Sequence, residues 1–333
     1  MDHFHDGQHV RLRSRVHDTY YLHADDDGES VSISRRRYSL NAAWTVHIYH
    51  GDGSHLLLHG AAYGRYLAAA AKPAPFGHHG FRAEQRDYDE PVLAAIMWQA
   101  VDAGSGDGVL LRNIGGRYLR ASGKLRRYLR WNARVGVEYT DNVSAMMHWI
   151  VEPIRPRARP PLIPGPIRTR VPGDLSVIML GRKPGGWRRI RFVRASDEGL
   201  YNEDGWSALR IRGRSVYHLR NALASRVGDI DIHGQRRDMV MCVRAGLYGR
   251  LTPLVVNLPH GRYGETLDIV VMLSGTPGES LPPCQNSELP IYPMEARSEQ
   301  CTDFGVDTFC CTAMIFFFLV LFKWGADLLV FEK

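Results

Sequence analysis

Histidine and cysteine are the residue types in this chain that are best able to bind a metal or to act as a base or nucleophile. Nine of the 15 histidines lie within the first 60 residues, and the closest pairs among these nine are His3 with His5 and His47 with His50. A metal site needs three or four converging ligands. The spacing instead predicts scattered strand and turn histidines, and the five cysteines include no Cys-x-x-Cys pair. We therefore expect no metal and no cofactor.

Motifs of the common catalytic classes are missing from the sequence. It contains no Gly-x-Ser-x-Gly nucleophile motif and no phosphate loop ending in Gly-Lys-Ser/Thr. Gly104, Gly106 and Gly108 resemble part of a nucleotide fingerprint, but they lie between the apolar positions Val101 and Val109. This spacing predicts a hairpin turn between two strands. The sequence therefore favours a non-enzymatic protein.

Positive charge is the clearest candidate for a binding feature. The net charge of +7 is unevenly distributed: residues 155–194 carry +10, residues 108–137 carry +8, and the rest carries −11. Basic segments attract acidic polymers, phosphates and acidic protein surfaces. Nucleic acid is the less favoured partner, because no helix-turn-helix, zinc-finger or RNA-binding signature accompanies the charge. The alternative is a biased base composition, since only five of the 42 basic residues are lysine.

The segment 108–137 predicts a basic surface patch. Its apolar residues Leu111, Tyr118 and Leu119 are expected to point inward, which places the cations outside. Alternatively, acidic residues from elsewhere, such as Asp25–Asp27, Glu84 or Asp87, fold back and neutralise them. The predicted patch consists of Arg112, Arg117, Arg120, Lys124, Arg126, Arg127 and Arg130.

The elements that must position these residues follow from an internal repeat. Three copies of about 50 residues each contain four short apolar or alternating runs, separated by turn residues. Tryptophans recur at Trp44, Trp98 and Trp149, and a Tyr-Leu-x-Ala unit begins at residues 21, 66 and 118. Three copies are too few for a propeller, which needs ~4–8 blades. Three four-stranded repeats fit a β-trefoil, a six-stranded barrel closed by three hairpins.

A closed barrel built from three repeats predicts a single core to which all three repeats contribute. A closed barrel has no exposed sheet edges, so residues 1–152 are expected to fold on their own. We expect the repeated tyrosines and tryptophans to form layers of the core. The three tryptophans are expected to pack there with Leu12, Leu58 and Leu111.

The repeat also resembles a known family. The segments Val10–Ser14, Asn41–Trp44, Gly64–Leu67, Ile96–Ala100, Gly116–Leu119 and Met147–Trp149 together resemble the plant domain-of-unknown-function family five-six-nine, which is grouped with fascin-like, actin-cross-linking trefoils. The resemblance covers residues 1–152 and continues to about residue 278. It implies a trefoil that binds a protein, with actin as the named possibility, and it carries no catalytic residues.

Residues 153–174 separate the trefoil from a second domain. They contain seven of the 18 prolines, interleaved with arginine, which favours an extended linker. Residues 175–278 predict the order β-β-α-β-β-β, which resembles a ubiquitin-like β-grasp. The predicted strands are 190–193, 208–211, 239–243, 254–258 and 266–273, with a helix after the N-cap Ser215 that buries Val216, Leu219, Leu223 and Val227. The fold class is therefore mainly β: an N-terminal trefoil plus an α+β domain.

The tail from residue 279 has a different composition. Residues 309–322 form an uncharged, largely apolar run of 14 residues, whereas a spanning helix needs ~20. The polar start of the sequence lacks a signal peptide, which predicts a cytoplasmic protein. The alternative is a C-terminal membrane anchor at about residues 308–326.

Two non-enzymatic functions remain open from the sequence. The first is a binding or scaffold protein whose partner is a protein, with actin named by resemblance, or an acidic polymer. The second is a carbohydrate-binding, lectin-like trefoil. Lectin trefoils commonly carry Gln-x-Trp in each repeat, and no Gln-x-Trp occurs in this sequence. The oligomeric state is not determined by these patterns.

Overall fold

The computed structural model describes ten segments of the chain. They are residues 3–51, 53–74, 79–89, 93–104, 108–121, 135–156, 161–165, 186–227, 238–260 and 266–274. The predicted tail from residue 279, with its apolar run 309–322, and most of the linker 153–174 lie outside them. The domain boundaries at residues 152 and 175 stay predictions.

Alternating apolar and polar residues produce twelve short strands in the described residues before 157. The strands are β1 (His9–Ser14), β2 (Tyr21–Ala24), β3 (Val31–Ser34), β4 (Trp44–Gly51), β5 (Gly53–Gly60), β6 (Tyr66–Pro73), β7 (Phe81–Arg86), β8 (Trp98–Asp102), β9 (Gly108–Asn113), β10 (Tyr118–Ala121), β11 (Val135–Glu138) and β12 (His148–Pro153). Each repeat supplies four of them. A short 3-10 turn stands just before the tryptophan strand in every repeat, at Leu40–Ala42, Leu93–Ile96 and Ala145–Met147.

The strand pairing closes a six-stranded barrel. Antiparallel pairing runs from β1 to β4, β5, β8, β9 and β12, and β12 returns to β1. The remaining strands form three hairpins, β2–β3, β6–β7 and β10–β11. This ring with three hairpins is a β-trefoil. The predicted three-lobed fold is confirmed.

The three tryptophans occupy equivalent places in the trefoil core. Trp44, Trp98 and Trp149 are fully buried, in one cluster with Leu12, Leu58 and Leu111 as predicted. Each indole Nε1 donates to the backbone carbonyl of the leucine in the Tyr-Leu-x-Ala unit of its own repeat. The acceptors are Leu22 at 3.2 Å, Leu67 at 2.9 Å and Leu119 at 3.1 Å. A buried indole N–H needs such a partner, so the two repeated motifs form one unit.

The expectation that the repeated tyrosines also belong to this core is wrong. Leu22, Leu67 and Leu119 point into it, and successive side chains of a strand face opposite sides. The preceding tyrosines therefore lie on the outer side. Tyr66 is fully buried there in a separate cluster, whereas Tyr118 is half-buried.

The second sheet has the β-grasp arrangement. Its strands are β13 (Trp187–Arg194), β14 (Ser207–Arg212), β15 (Met239–Arg244), β16 (Thr252–Pro253) and β17 (Thr266–Leu273), in the spatial order β14-β13-β17-β15-β16. The first strand, β13, pairs in parallel with the last, β17, at the centre of the sheet. Helix α1 (Val216–Val227) packs on one face through Val216, Leu219 and Leu223, and Ser215 Oγ accepts from His218 N at 3.3 Å.

The predicted strand at residues 254–258 is wrong. The strand ends at Pro253, and the following segment is held by other contacts. Leu258 N donates to Arg214 O at 2.9 Å, and Asn257 Oδ1 accepts from Val216 N at 3.2 Å. Leu254 and Leu258 still bury their side chains against the helix. Their apolar character therefore reflects core packing and not strand pairing.

Helix α1 is 12 residues long. Within the described residues, no helix has the length and apolar character needed to cross a membrane.

Candidate functional site

Tyr66 marks the contact between the trefoil and the second domain, which lie in one compact unit. Its ring is fully buried on the outer side of β6. Its hydroxyl accepts a hydrogen bond from the backbone N–H of Arg250 at 3.2 Å. Arg250 belongs to the connection between β15 and β16, so this turn of the second domain packs against the trefoil.

The Arg250 side chain forms an ion pair across the domain interface. Its Nη1 and Nη2 atoms lie 3.0 and 3.2 Å from Oδ1 and Oδ2 of Asp6, and only 9% of the residue is exposed. Asp6 Oδ1 also accepts from Ile48 N at 2.7 Å. Burial raises the pKa of the Asp6 carboxyl, but the Ile48 N–H and the Arg250 guanidinium outweigh burial and hold the pKa below its usual value. The pair joins residues 244 positions apart.

Two buried histidines line the same interface. His47 stacks on Tyr88 with ring centres 6.1 Å apart, and its Nδ1 lies 3.4 Å from Tyr66 Oη. Burial, reinforced by the positive charge of Arg250, lowers the pKa of His47 to about 3. Burial also lowers the pKa of His59, whose Nδ1 lies 3.4 Å from Thr252 Oγ1, well below its usual value. Both imidazoles are therefore neutral at neutral pH.

The backbones of the two domains also approach closely. Tyr88 N donates to Ala245 O at 3.0 Å, and His260 N donates to Asp26 O at 2.6 Å. At Gly246, φ is +89°, and a Cβ atom would lie 2.8 Å from Tyr88 N and closer still to the Asp89 carboxylate. Only glycine fits this position without a shift of the backbone.

A cleft of about 200 Å³ opens beside this interface. The trefoil contributes Gly28, Tyr63, Arg65, Asp87 and Asp89, and the second domain contributes Arg191, Val243, Arg244, Ala245, Gly246, Leu254, Pro259, Thr266, Leu267 and Asp268. Among the described residues, three arginines and three aspartates line it, so their charges balance.

The charged groups of the cleft are largely paired with one another. Arg65 Nε lies 3.0 Å from Asp87 Oδ1, and Arg191 Nε lies 3.5 Å from Asp268 Oδ1. Arg244 is held by Glu203, with Nη2 at 3.1 Å from Oε2. Burial raises the pKa of Asp268, against the opposing effect of Arg191 and Arg244. These charged side chains are therefore engaged mainly in ion pairs within the protein.

The described residues that line the cleft include no histidine, cysteine or serine. In the described segments, no three His, Cys, Asp or Glu side chains converge as a metal site requires. The arrangement is suited to binding and to holding the two domains together.

The structure places three of the predicted patch residues. Arg112 is exposed, with its guanidinium 5.9 Å from the centre of the Tyr118 ring. Arg117 turns inward, and its Nη1 and Nη2 donate to the carbonyls of Ala70 at 2.6 Å and Ala69 at 3.0 Å. Arg120 Nη1 pairs with Glu138 Oε2 at 2.5 Å. Two of these three cations are thus occupied by internal partners.

The other four residues, Lys124, Arg126, Arg127 and Arg130, lie outside the described residues. The acids that were considered as neutralising partners have other neighbours. Asp87 pairs with Arg65, Glu84 lies near Lys72 and Arg86, and Asp25 Oδ1 accepts from Ser32 Oγ at 2.6 Å. Glu138, which sequence reasoning did not consider, performs that role for Arg120. The patch as a binding surface stays a prediction.

Comparison with known families identifies both domains. Residues 1–157 match the beta-trefoil domain of unknown function (DUF569), and residues 186–272 match the DUF569 associated ubiquitin-like domain. This chain combines a DUF569 β-trefoil with a DUF569-associated ubiquitin-like domain. The sequence-based resemblance to this family, and the prediction of its second domain, are confirmed.

Similar solved structures are less than 20% identical in sequence to this chain over the aligned residues. The SDF2-like protein from Arabidopsis thaliana is 18% identical, with 45% of this chain and 94% of that chain covered and a TM-score of 0.39. A Macrolepiota procera ricin B-like lectin in complex with lactose is 17% identical, with 44% and 96% covered and a TM-score of 0.35. These similarities carry no argument about function. No curated protein matches this chain significantly.

Sequence reasoning missed the residues at the interface between the two domains. Asp6 lies in a polar N-terminal segment, and Arg250 lies in a turn between strands. Neither position shows a hydrophobic period. The turn glycines Gly246 and Gly249 were the available signal, because turns that approach another backbone closely often need glycine.

Proposed function

We propose that this protein is a non-enzymatic binding or scaffold protein in which the trefoil and the ubiquitin-like domain act as one unit. The observation that carries this proposal is the interface at which the buried side chains of Arg250 and Tyr66 are joined, with Arg250 paired to Asp6. A scaffold needs its binding surfaces held in a fixed relation. A nine-tenths-buried arginine with two hydrogen bonds to one carboxylate supplies such a constraint.

The trefoil core also favours binding at outer surfaces. Large side chains, including all three repeated tryptophans, fill the barrel. An interior packed in this way is structural, so ligands are expected on the hairpins, the loops and the sheet of the second domain. The charge-paired cleft is one such place.

We propose a protein partner for these surfaces, with actin as the specific candidate. The support is the sequence resemblance to fascin-like trefoils. One trefoil provides one filament site, so cross-linking requires that the chain dimerise. Co-sedimentation of the full chain with F-actin at physiological salt tests this candidate. Saturable pelleting that requires filaments is expected, and protein that remains in the supernatant at all filament concentrations contradicts actin binding.

The basic patch predicted for residues 108–137, which we call the third-repeat patch, provides a second test of the same function. Replacing Arg126, Arg127 and Arg130 together by glutamate is expected to abolish partner capture with little change in melting temperature. Capture that matches the parent would remove the patch from consideration. The lectin-like alternative is decided by a glycan array: a reproducible glycan signal would favour it over a protein partner, and a silent array would dismiss it.

A further inference from the structure

Arginines of the first repeat converge from two separate segments of the chain. Arg11 and Arg13 lie on β1, and Arg35, Arg36 and Arg37 follow β3. Arg11 Nε donates to the backbone carbonyl of Arg37 at 2.7 Å, which joins the two segments. We call these five residues, with Tyr20 and Tyr38, the first-repeat arginine surface. Residues 35–38 are all exposed.

One carboxylate of the protein already shows how this surface binds an acid. Glu152 Oε1 lies 2.7 Å from Arg13 Nε, and its Oε2 lies 2.9 Å from Arg37 Nη2. Each oxygen therefore has its own guanidinium, from a different segment. Planar guanidinium groups suit this paired recognition of carboxylates better than ammonium groups do.

Aromatic rings hold the arginines of this surface in place. The Arg35 guanidinium lies 4.9 Å from the centre of the Tyr20 ring, and that of Arg37 lies 5.8 Å from Tyr21 and 6.0 Å from Tyr38. Tyr38 itself is 84% exposed. Stacked guanidinium groups keep their N–H donors directed outward and lose less freedom when a ligand binds.

The charge of the surface is not balanced. Among the described residues, the ion pairs of this surface involve one carboxylate, that of Glu152, against five guanidinium groups, which leaves +4. Among the described residues, neither Arg35 nor Arg36 has a carboxylate partner. Like charges held this close repel one another, so an acidic ligand would relieve the repulsion.

We infer that the first-repeat arginine surface binds an acidic segment of a partner protein, with carboxylates on Arg35 and Arg36 and an apolar or aromatic residue against Tyr38. This inference rests on the proposed binding function and names its partner chemistry. A polypeptide is favoured over a nucleic acid because the arrangement around Glu152 is that of a carboxylate site. Arg35 and Arg36 also leave their guanidinium groups available to a ligand. By contrast, Arg117 and Arg120 of the third-repeat patch are engaged internally.

Fluorescence anisotropy of the full chain with a fluorescein-labelled octaglutamate peptide tests the inference. We expect saturable binding that weakens as salt rises, since exposed charges are screened. The double variant Arg35→Glu/Arg36→Glu is expected to bind at least tenfold more weakly. Its matched control is Arg189→Glu/Arg210→Glu, which changes the charge equally at two exposed, directly opposed positions of β13 and β14 and should bind like the parent. Both variants should keep the parental melting temperature, because all four side chains are exposed.

Three results would overturn the inference. They are no peptide binding by the parent, equal weakening in both double variants, and displacement of the peptide by a single-stranded oligonucleotide of equal charge at lower concentration than by unlabelled octaglutamate. Co-sedimentation with F-actin is measured separately. Peptide binding without co-sedimentation would support the first-repeat arginine surface and contradict the actin proposal. Co-sedimentation without peptide binding would support actin binding and contradict the inference about this surface.

Discussion

The indole Nε1 of Trp98 donates a hydrogen bond to the backbone carbonyl of Leu67 at 2.9 Å, inside a fully buried core. Equivalent bonds occur in the other two repeats. Each bond joins the fourth strand of a repeat to its second strand, and so links the barrel to the hairpin that closes it. The trefoil therefore depends on this residue pair both for core packing and for a hydrogen bond to the buried indole N–H.

Replacing Trp98 by alanine is expected to lower the free energy of unfolding by about 3–5 kcal/mol, as removal of a large buried aromatic side chain does. Trp98→Phe should cost less, because it retains most of the volume; its remaining cost comes from leaving the buried Leu67 carbonyl without a donor. Urea unfolding measures both. Trp187, which is half exposed on β13, provides the control, and its alanine variant should change stability little. A Trp98→Ala protein that melts within about a degree of the parent would contradict the core assignment.

Replacing Arg250 by alanine is expected to uncouple the two domains. The substitution leaves the partly buried Asp6 carboxylate without its partner and should cost about 1–3 kcal/mol. In calorimetry, we expect the single transition of the parent to separate into two. Arg189→Ala, at an exposed position on β13, should keep one transition. If Arg250→Ala unfolds in one transition at the parental temperature, the ion pair does not couple the domains.

Substitution of Gly246 is expected to disturb the interface through contact with the trefoil. Alanine there combines a positive φ with a Cβ only 2.8 Å from Tyr88 N. Gly213 has a similar φ of +84° but no atom within 4 Å of the added Cβ, so Gly213→Ala measures the backbone strain alone. Thermal unfolding should show a larger loss for Gly246→Ala than for Gly213→Ala. Equal losses would mean that the close approach to Tyr88 has no energetic consequence.

The buried histidines make stability depend on pH in the acidic range. The pKa of His47 is about 3 in the folded protein and about 6.5 when unfolded, so the unfolded state binds more protons below pH 6.5. Stability is therefore complete above pH 6.5 and falls as pH decreases towards 3, by up to roughly 1.4 kcal/mol per pH unit for each such histidine. The lowered pKa values of His59 and Asp6 act in the same direction, whereas the raised pKa of Asp268 opposes them.

Urea unfolding at a series of pH values between 3 and 8 measures this dependence. The variant His47→Gln lacks one of the titrating groups and should show a shallower loss of stability below pH 6.5. Replacing His3, which is exposed, by glutamine is the control and should leave the slope unchanged. Identical slopes for the parent and His47→Gln would show that His47 is not held neutral by the fold.

The trefoil could be predicted from the sequence because its signals are local and repeated. Alternation of side chains along each strand, the recurring tryptophans and the Tyr-Leu-x-Ala units specify four strands per repeat. The period of two also assigns the leucine of each unit to the core, and the tyrosine next to it must then face outward. The second domain was predictable for the same reason, since its strands and helix α1 have their own hydrophobic patterns.

The tertiary structure alone decided which outward-facing residues meet. Tyr66 lies on the outer side of its strand like Tyr118, but only Tyr66 is covered by the second domain. Asp6 and Arg250 show no hydrophobic period, and they meet only because the two domains pack together. The same holds for Arg11 and Arg37, which the barrel brings into contact across 26 positions. Polar contacts between distant segments depend on the relative placement of whole elements, and local sequence patterns do not encode it.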